Sequence, residues 1–202
     1  MLILKNFLTQ EEQPQIIQYA KSINPCTSIE NEHIKKINDQ INGFSVLCDL
    51  TQTEVSKSVA KFQGDNTQIE SVPDLFYEIK NRICSLCDIT DKNVFFQLIS
   101  MKKGGRVAPH YDAACPGYIT YKCNVVVKGP PTDVIYVDKY PNTIEELSLY
   151  CFEASLYKHW ADACEYDRIL LSYGFLLPYR ELLWDEDSPR VRLSNRIWKK
   201  FQ

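Results

Sequence analysis

The strongest constraint on this chain is a change of hydrophobic period near Asn93. Ahead of it apolar residues recur at helical spacing, and beyond it they come as short extended runs separated by turn residues. Leu2 to Leu8 reads as an apolar strand, and Thr9 and Glu12 have the spacing of a capping box. Ile16, Ile17, Tyr19, Ala20 and Ile23 then line one side of a helix that Pro25 stops. The pattern is weak from Cys26 to Gly64, apart from an apolar piece at Phe44 to Leu50. A second helix is predicted over Val72 to Leu86, with Pro73 in its first turn and Leu75, Phe76, Ile79, Ile83 and Leu86 on one face. Strands are predicted at Val94 to Met101, Tyr118 to Val127, Asp133 to Val137, Ser148 to Phe152, Arg168 to Tyr173 and Arg190 to Trp198. Two helices followed by such a run predict an α+β domain whose second half is a sandwich or open barrel.

With 202 residues and neither repeat nor linker, the chain reads as one domain, 1–93 holding the N-terminal strand and helices and 94–202 the β core. A net charge of -3 offers no general field to draw the molecule onto nucleic acid or acidic lipid, so any such contact must come from a local patch. No run is long enough to span a bilayer, and the apolar stretch at Met1 to Leu8 is too short for a signal peptide, so an intracellular location is expected. Reduced thiols follow from that. Cys26, Cys48, Cys115, Cys123, Cys151 and Cys164 are scattered, and Cys84 and Cys87 form one C-x-x-C. A structural zinc site needs four ligands, and neither a second C-x-x-C nor a finger-spaced His pair is present, so both cysteines are read as small core residues.

Only three histidines, His33, His110 and His159, are available to bind metal or move protons. His110-Tyr111-Asp112 follows a glycine turn after a strand, and H-x-D puts an imidazole and a carboxylate on one side of an extended segment. These are two ligands of a facial triad for non-haem iron, completed once a second His joins. A surface His beside a solvated Asp would give the same tripeptide. His33, in a polar stretch, reads as solvated, and His159 in Tyr157-Lys158-His159-Trp160 reads as a loop or short-helix residue.

The order of elements, the H-x-D, the Tyr166 to Gly174 strand and the terminal Arg190-Val191-Arg192-Leu193-Ser194-Asn195-Arg196 together resemble the AlkB family of Fe(II)/2-oxoglutarate dioxygenases. The resemblance implies a double-stranded β-helix, jelly-roll-like, with N-terminal supporting helices. It implies His110 and Asp112 as iron ligands and Arg190 and Arg196 as the cosubstrate pair, the first arginine gripping the 2-oxoglutarate carboxylate. The departures from the family are as informative. Its N-x-Y positions fall on Ile99 and Met101, which cannot hydrogen-bond a carboxylate. If Asp167 matches the family's G-D aspartate, Arg180 stands at the distal His position and would pair with Asp112 instead of holding metal. His159 precedes the Tyr166 to Gly174 strand, whereas the family's distal His follows it.

One ligand replaced and two cosubstrate residues made apolar imply a fold that has lost its chemistry, with no catalytic residue and no cofactor expected. The size and character of the chain then resemble a small accessory subunit of a DNA adenine-N6 methyltransferase complex, a scaffold or stabiliser in the nucleus with protein subunits as partners. Nucleic-acid contact would come through Arg190, Arg192, Lys199 and Lys200, with Arg196, Trp198 and Phe201 interleaved, or through the smaller cluster of Lys102, Lys103 and Arg106. The segment from Tyr140 to Trp184, longer than a β-helix alone requires, is the candidate docking surface. Two alternatives stand beside this reading. One is an active dioxygenase that demethylates nucleic acid or protein, with Fe(II) on His110, Asp112 and His159 and 2-oxoglutarate on Arg190. The other is a nucleic-acid binder without chemistry.

Overall fold

The structure, a computed structural model, describes residues 1–23, 36, 39–51, 53–55, 71–90, 93–112, 117–130 and 133–178. Ten strands in these residues form two antiparallel sheets. The larger takes β1 (Leu2–Leu4), β8 (Leu149–Glu153), β5 (Tyr118–Lys128), β10 (Arg168–Pro178), β3 (Val94–Met101) and β2 (Gly43–Asp49), in that order. The smaller takes β4 (Val107–His110), β9 (His159–Ala161), β6 (Asp133–Val137) and β7 (Tyr140–Ile144). This is a jelly-roll arrangement of antiparallel strands.

Strand parity decides what lies on each face. Along β5, Cys123, Val125 and Val127 join the apolar layer on the outer side, while Val126 packs inward with Ile135, Val137, Tyr150, Phe152 and Leu170 between the two sheets. The outer face is covered by α1 (Glu12–Ser22) and α2 (Asp74–Cys87), which contribute Ile16, Ala20, Phe76, Ile79 and Ile83 to that layer. Both helices start as the sequence dictates. Thr9 Oγ1 accepts from the Glu12 N–H at 3.2 Å and a Glu12 carboxylate oxygen accepts from the Thr9 N–H at 2.8 Å, which closes the capping box. Pro73 stands immediately before α2, where its missing N–H costs nothing. Inside the outer layer the Tyr173 hydroxyl donates to the Phe76 carbonyl at 2.9 Å and ties the start of α2 to the central strand β10.

Several predicted boundaries move. The strand expected over Leu2 to Leu8 ends at Leu4, because Asn6 takes a left-handed conformation (φ 53°) and the N–H groups of Phe7 and Leu8 both turn to the Leu147 carbonyl. The stretch from Tyr140 to Pro178, expected to exceed what the β core needs, is built into that core. Strands β7, β8, β9 and β10 occupy it, and each pairs inside one of the two sheets. The predicted strand Arg190 to Trp198, the basic stretch around it, Arg180, His33, Cys26 and Cys115 lie outside the described residues. Among the described residues, no helix is long and apolar enough to cross a membrane.

Candidate metal centre

The site begins with the pairing of two short strands. β4 and β9 run antiparallel, and their register sets His110 directly opposite His159. Directly paired residues share a face of the sheet, so the two imidazoles meet, with ring centroids 4.2 Å apart. Asp112 lies just beyond β4, and its N–H donates to the Ala154 carbonyl at 3.0 Å, which anchors this end of β4 to the chain after β8. One Asp112 oxygen, Oδ1, then lies 3.2 Å from His110 Nε2 and 3.4 Å from His159 Nε2. His110, Asp112 and His159 thus present three ligand atoms to one point.

His159 is therefore part of the constellation and not a residue of a polar loop. It is 8% exposed, on a strand, with the edge of the Phe152 ring against it. The order of strands accounts for the difference. The Tyr166 to Gly174 segment belongs to β10, the strand that follows the His-bearing β9, so it is not the strand after which a distal ligand should be sought. The expected pairing of Asp112 with Arg180 involves a residue outside the described set, and a different cation holds the carboxylate: Lys122 Nζ is 2.7 Å from Asp112 Oδ2.

Whether these residues suit a metal can be judged from their hydrogen bonds. His110 Nδ1 lies 2.8 Å from the Ala108 carbonyl and His159 Nδ1 lies 3.1 Å from the Tyr157 carbonyl, so each Nδ1 carries the proton and each Nε2 presents a lone pair. His159 Nε2 is buried and makes no hydrogen bond. Burial, the largest influence, holds the His159 imidazole below its usual range against the pull of Asp112, which keeps the ring neutral. Burial opposes ionisation of Asp112, but the Lys122 ammonium beside it and the two adjoining imidazoles outweigh burial and hold this carboxyl well below its usual range. Two imidazoles, each with Nδ1 held by a backbone carbonyl, and one carboxylate suit non-haem Fe(II) or a similar divalent cation. The His110 side chain is 40% exposed and that of Asp112 only 6%, so the centre opens past His110 and the exposed Tyr111.

The interior beside the centre is polar. On the inner face of the large sheet, Gln97, Ser172, Asn124 and Tyr150 face one another in register across β3, β10, β5 and β8. Asn124 and Tyr150 are hydrogen-bonded. Arg168, on the same side of β10, forms a buried ion pair with Asp133 of β6. Arg168 Nε, Asn124 Oδ1 and Ser172 Oγ are buried without a hydrogen-bond partner. Ile99 and Met101 are apolar and pack in the core, as their identities require, so β3 contributes Gln97 to this interior and the other polar groups come from β5, β8 and β10. Sequence reasoning passed over Lys122, Asn124 and Arg168. A signal for the first two was present: Thr120, Lys122 and Asn124 alternate with Tyr121, Cys123 and Val125, which marks a polar stripe on a strand buried on both faces.

No family model matches the chain, and no curated protein matches it in sequence. Among solved structures, it is similar to a viral collagen prolyl hydroxylase from Paramecium Bursaria Chlorella virus-1 in complex with 2OG. The TM-score is 0.57 at 13% identity, covering 87% of this chain and 94% of that one. A salicylate 1,2-dioxygenase from Pseudoaminobacter salicylatoxidans matches over 40% of this chain and 20% of its own, at 10% identity and a TM-score of 0.32, too slight a likeness to bear on the fold. The first likeness bears on the fold alone: the chain shares the antiparallel jelly-roll arrangement of that hydroxylase.

Proposed function

We propose that the chain is an Fe(II)-dependent oxygenase with a 2-oxo acid, 2-oxoglutarate foremost, as cosubstrate. The observation that carries this reading is the meeting of His110 Nε2, His159 Nε2 and Asp112 Oδ1 at one point, with both Nδ1 atoms turned to backbone carbonyls. His110, Asp112 and His159 would hold the metal. When bound, Fe(II) supplies the redox chemistry that couples decarboxylation of a 2-oxo acid by dioxygen to oxidation of a C–H bond.

The chain's own residues contribute position and charge. Lys122 neutralises the outer oxygen of Asp112 and fixes the carboxylate plane, leaving Oδ1 directed to the histidines. The unpartnered Nε–H of Arg168 is a donor for a cosubstrate carboxylate, and Asn124 and Ser172 offer further polar contacts on the same wall. Arg190 and Arg196, the pair expected from the family pattern, lie outside the described residues, and among the described residues Arg168 is the arginine placed for this role. Phe152, Val126 and Leu170 provide apolar walls that keep water from this interior. The substrate enters past His110. Nucleic acid or protein, with hydroxylation or oxidative demethylation as the outcome, is the class to screen; the similar viral enzyme is a collagen prolyl hydroxylase.

The competing reading, a non-catalytic AlkB-like subunit of a DNA methylation complex, rested on an arginine at the distal His position and on apolar Ile99 and Met101 at two cosubstrate positions. His159 supplies that ligand, and no observation favours the partner subunits or nuclear location that went with it. The test is anaerobic calorimetric titration of metal-free protein with Mn(II), with and without 2-oxoglutarate, followed by succinate release in air with Fe(II). One-to-one binding is expected, lost in His159→Ala while the fold persists by circular dichroism. Unchanged binding in that variant would sink the assignment.

A further inference from the structure

On the opposite side of the large sheet, three thiols converge. Cys123 of β5 and Cys151 of β8 are directly opposite in the strand register, and both are fully buried on the face that the helices cover. Cys87, the last residue of α2, packs onto the same place from above and is only partly buried. The three sulfurs lie within 4.8 Å of one another, and none is in a disulfide.

We propose that Cys87, Cys123 and Cys151 form a second metal site, for a soft d10 cation, Zn(II) or Cu(I), independent of the His110–Asp112–His159 centre. Thiolates select such ions over the oxygen-seeking Mg(II) and Ca(II). With metal–sulfur bonds of about 2.3 Å, tetrahedral geometry sets sulfurs about 3.8 Å apart, so the cluster needs to contract by no more than about 1 Å to close on an ion. Two ligands sit on rigid paired strands and the third on a helix end, which leaves one adjustable member. Zinc completes its tetrahedron with a fourth donor, for which Cys84, three residues back along α2 and packed on the same core, is the candidate; Cu(I) is content with three.

The chemistry around the sulfurs agrees. Hydrogen bonds from Cys123 and Cys151 hold the Cys87 thiol well below its usual range, so the partly exposed member is the one that ionises first and can capture an incoming cation. Hydrogen bonds from Cys123 and Tyr121 favour the Cys151 thiolate, but the contact with Cys87 and burial outweigh them and hold this thiol above its usual range. Burial raises Cys123 strongly, so the full three-thiolate charge is stable only once a cation shares the cavity. The C-x-x-C of the sequence lacked a second pair of cysteines along the chain; strand register supplies that pair from residues far apart in sequence.

The experiment uses the full-length chain, reduced and metal-free under anaerobic conditions, titrated in one arm with Co(II) as the optical stand-in for Zn(II) and in the other with Cu(I) against a chromophoric chelator. A thiolate-to-Co(II) charge-transfer band saturating at one equivalent and displaced by Zn(II) establishes the zinc form. Stoichiometric Cu(I) capture without that band establishes the copper form. The band or capture must survive His110→Ala, which disables the first centre, and must weaken at least about tenfold in both Cys87→Ser and Cys151→Ala. Mn(II) binding at the first centre checks that those variants are folded. Absence of thiolate-bound metal in both arms, or a signal that persists without Cys87 and Cys151, overturns the proposal.

Discussion

The buried pair of Arg168 and Asp133 permits a sharp separation of structure from function. Arg168 is 2% exposed and Asp133 5%, so Arg168→Met leaves a carboxylate in the interior without its cation. Breaking a buried pair from one side costs about 3–5 kcal/mol, whereas replacing both members by apolar residues is near neutral, so Arg168→Met/Asp133→Leu should recover to within about 1 kcal/mol of wild type. The single variant should also show a characteristic pH dependence. Burial, offset only in part by Arg168 and the Val134 N–H, already lifts the Asp133 carboxyl above its usual range, and removal of Arg168 lifts it further. A carboxyl whose folded pKa is raised contributes stability that is fully present below its unfolded pKa and lost as pH rises through the folded value. The deficit of Arg168→Met therefore shrinks on acidification and grows towards neutrality, which urea denaturation at a series of pH values measures. Cosubstrate binding should follow a different course. A hydrogen bond to a charged group contributes about 1.5–3 kcal/mol, so both the single and the double variant should bind 2-oxoglutarate about 10- to 150-fold more weakly in the Mn(II) complex. A double variant that regains stability and binds the cosubstrate normally would confine Arg168 to a structural role, and a pH-independent deficit below about 1 kcal/mol would refute the buried-charge argument itself.

Other residues give independent tests. A Cβ at Gly174 would lie 2.0 Å from the Phe95 ring on the neighbouring strand, so Gly174→Ala should cost at least about 1–3 kcal/mol in thermal or urea unfolding, with Phe95→Leu in the same chain restoring part of it. Thr9→Ala opens the capping box at α1 and should cost about 1 kcal/mol, read by the same assay, while leaving Mn(II) binding unchanged. Tyr173→Phe removes the buried donor to the Phe76 carbonyl and should destabilise by about 1 kcal/mol, with increased amide hydrogen exchange in the first turn of α2.

The sequence disclosed what local periodicity can disclose. Asp133–Val137 and Val94–Met101 match their predicted bounds because each is an apolar run closed by turn residues. The strands that escaped notice, Val107–His110, Tyr140–Ile144 and His159–Ala161, are short and mixed in polarity, and only their partners in the small sheet make them strands. The third member of the His–Asp–His cluster was hidden for the same reason. His159 stands in Tyr157-Lys158-His159-Trp160, which has no motif of its own, and joins His110 and Asp112 through the β4–β9 register that sets it against His110. H-x-D spacing is local and readable; a contact across a sheet is not. The family pattern pointed instead to a ligand after the Tyr166 to Gly174 strand, one strand too late.

Alternation along a strand also explains how β5 and β8 present polar groups to one face and thiols to the other. On β5, Lys122 and Asn124 face the interior with the His–Asp–His centre, and Cys123 between them faces the helices. On β8, Tyr150 and Phe152 face inward and Cys151 outward. A one-residue slip between these strands would exchange the faces, bringing thiols to the interior beside the His–Asp–His cluster and an ammonium into the apolar layer, where an unpaired charge is strongly unfavourable. Lys122 opposite Phe152, and Cys123 opposite Cys151, are thus compatible only in the observed register. The ion pair from Lys122 to Asp112 adds a direct penalty for any slip, since the carboxylate would lose its buried cation. The polar stripe that makes β5 an unusual core strand therefore fixes the pairing on which the geometry of both faces depends.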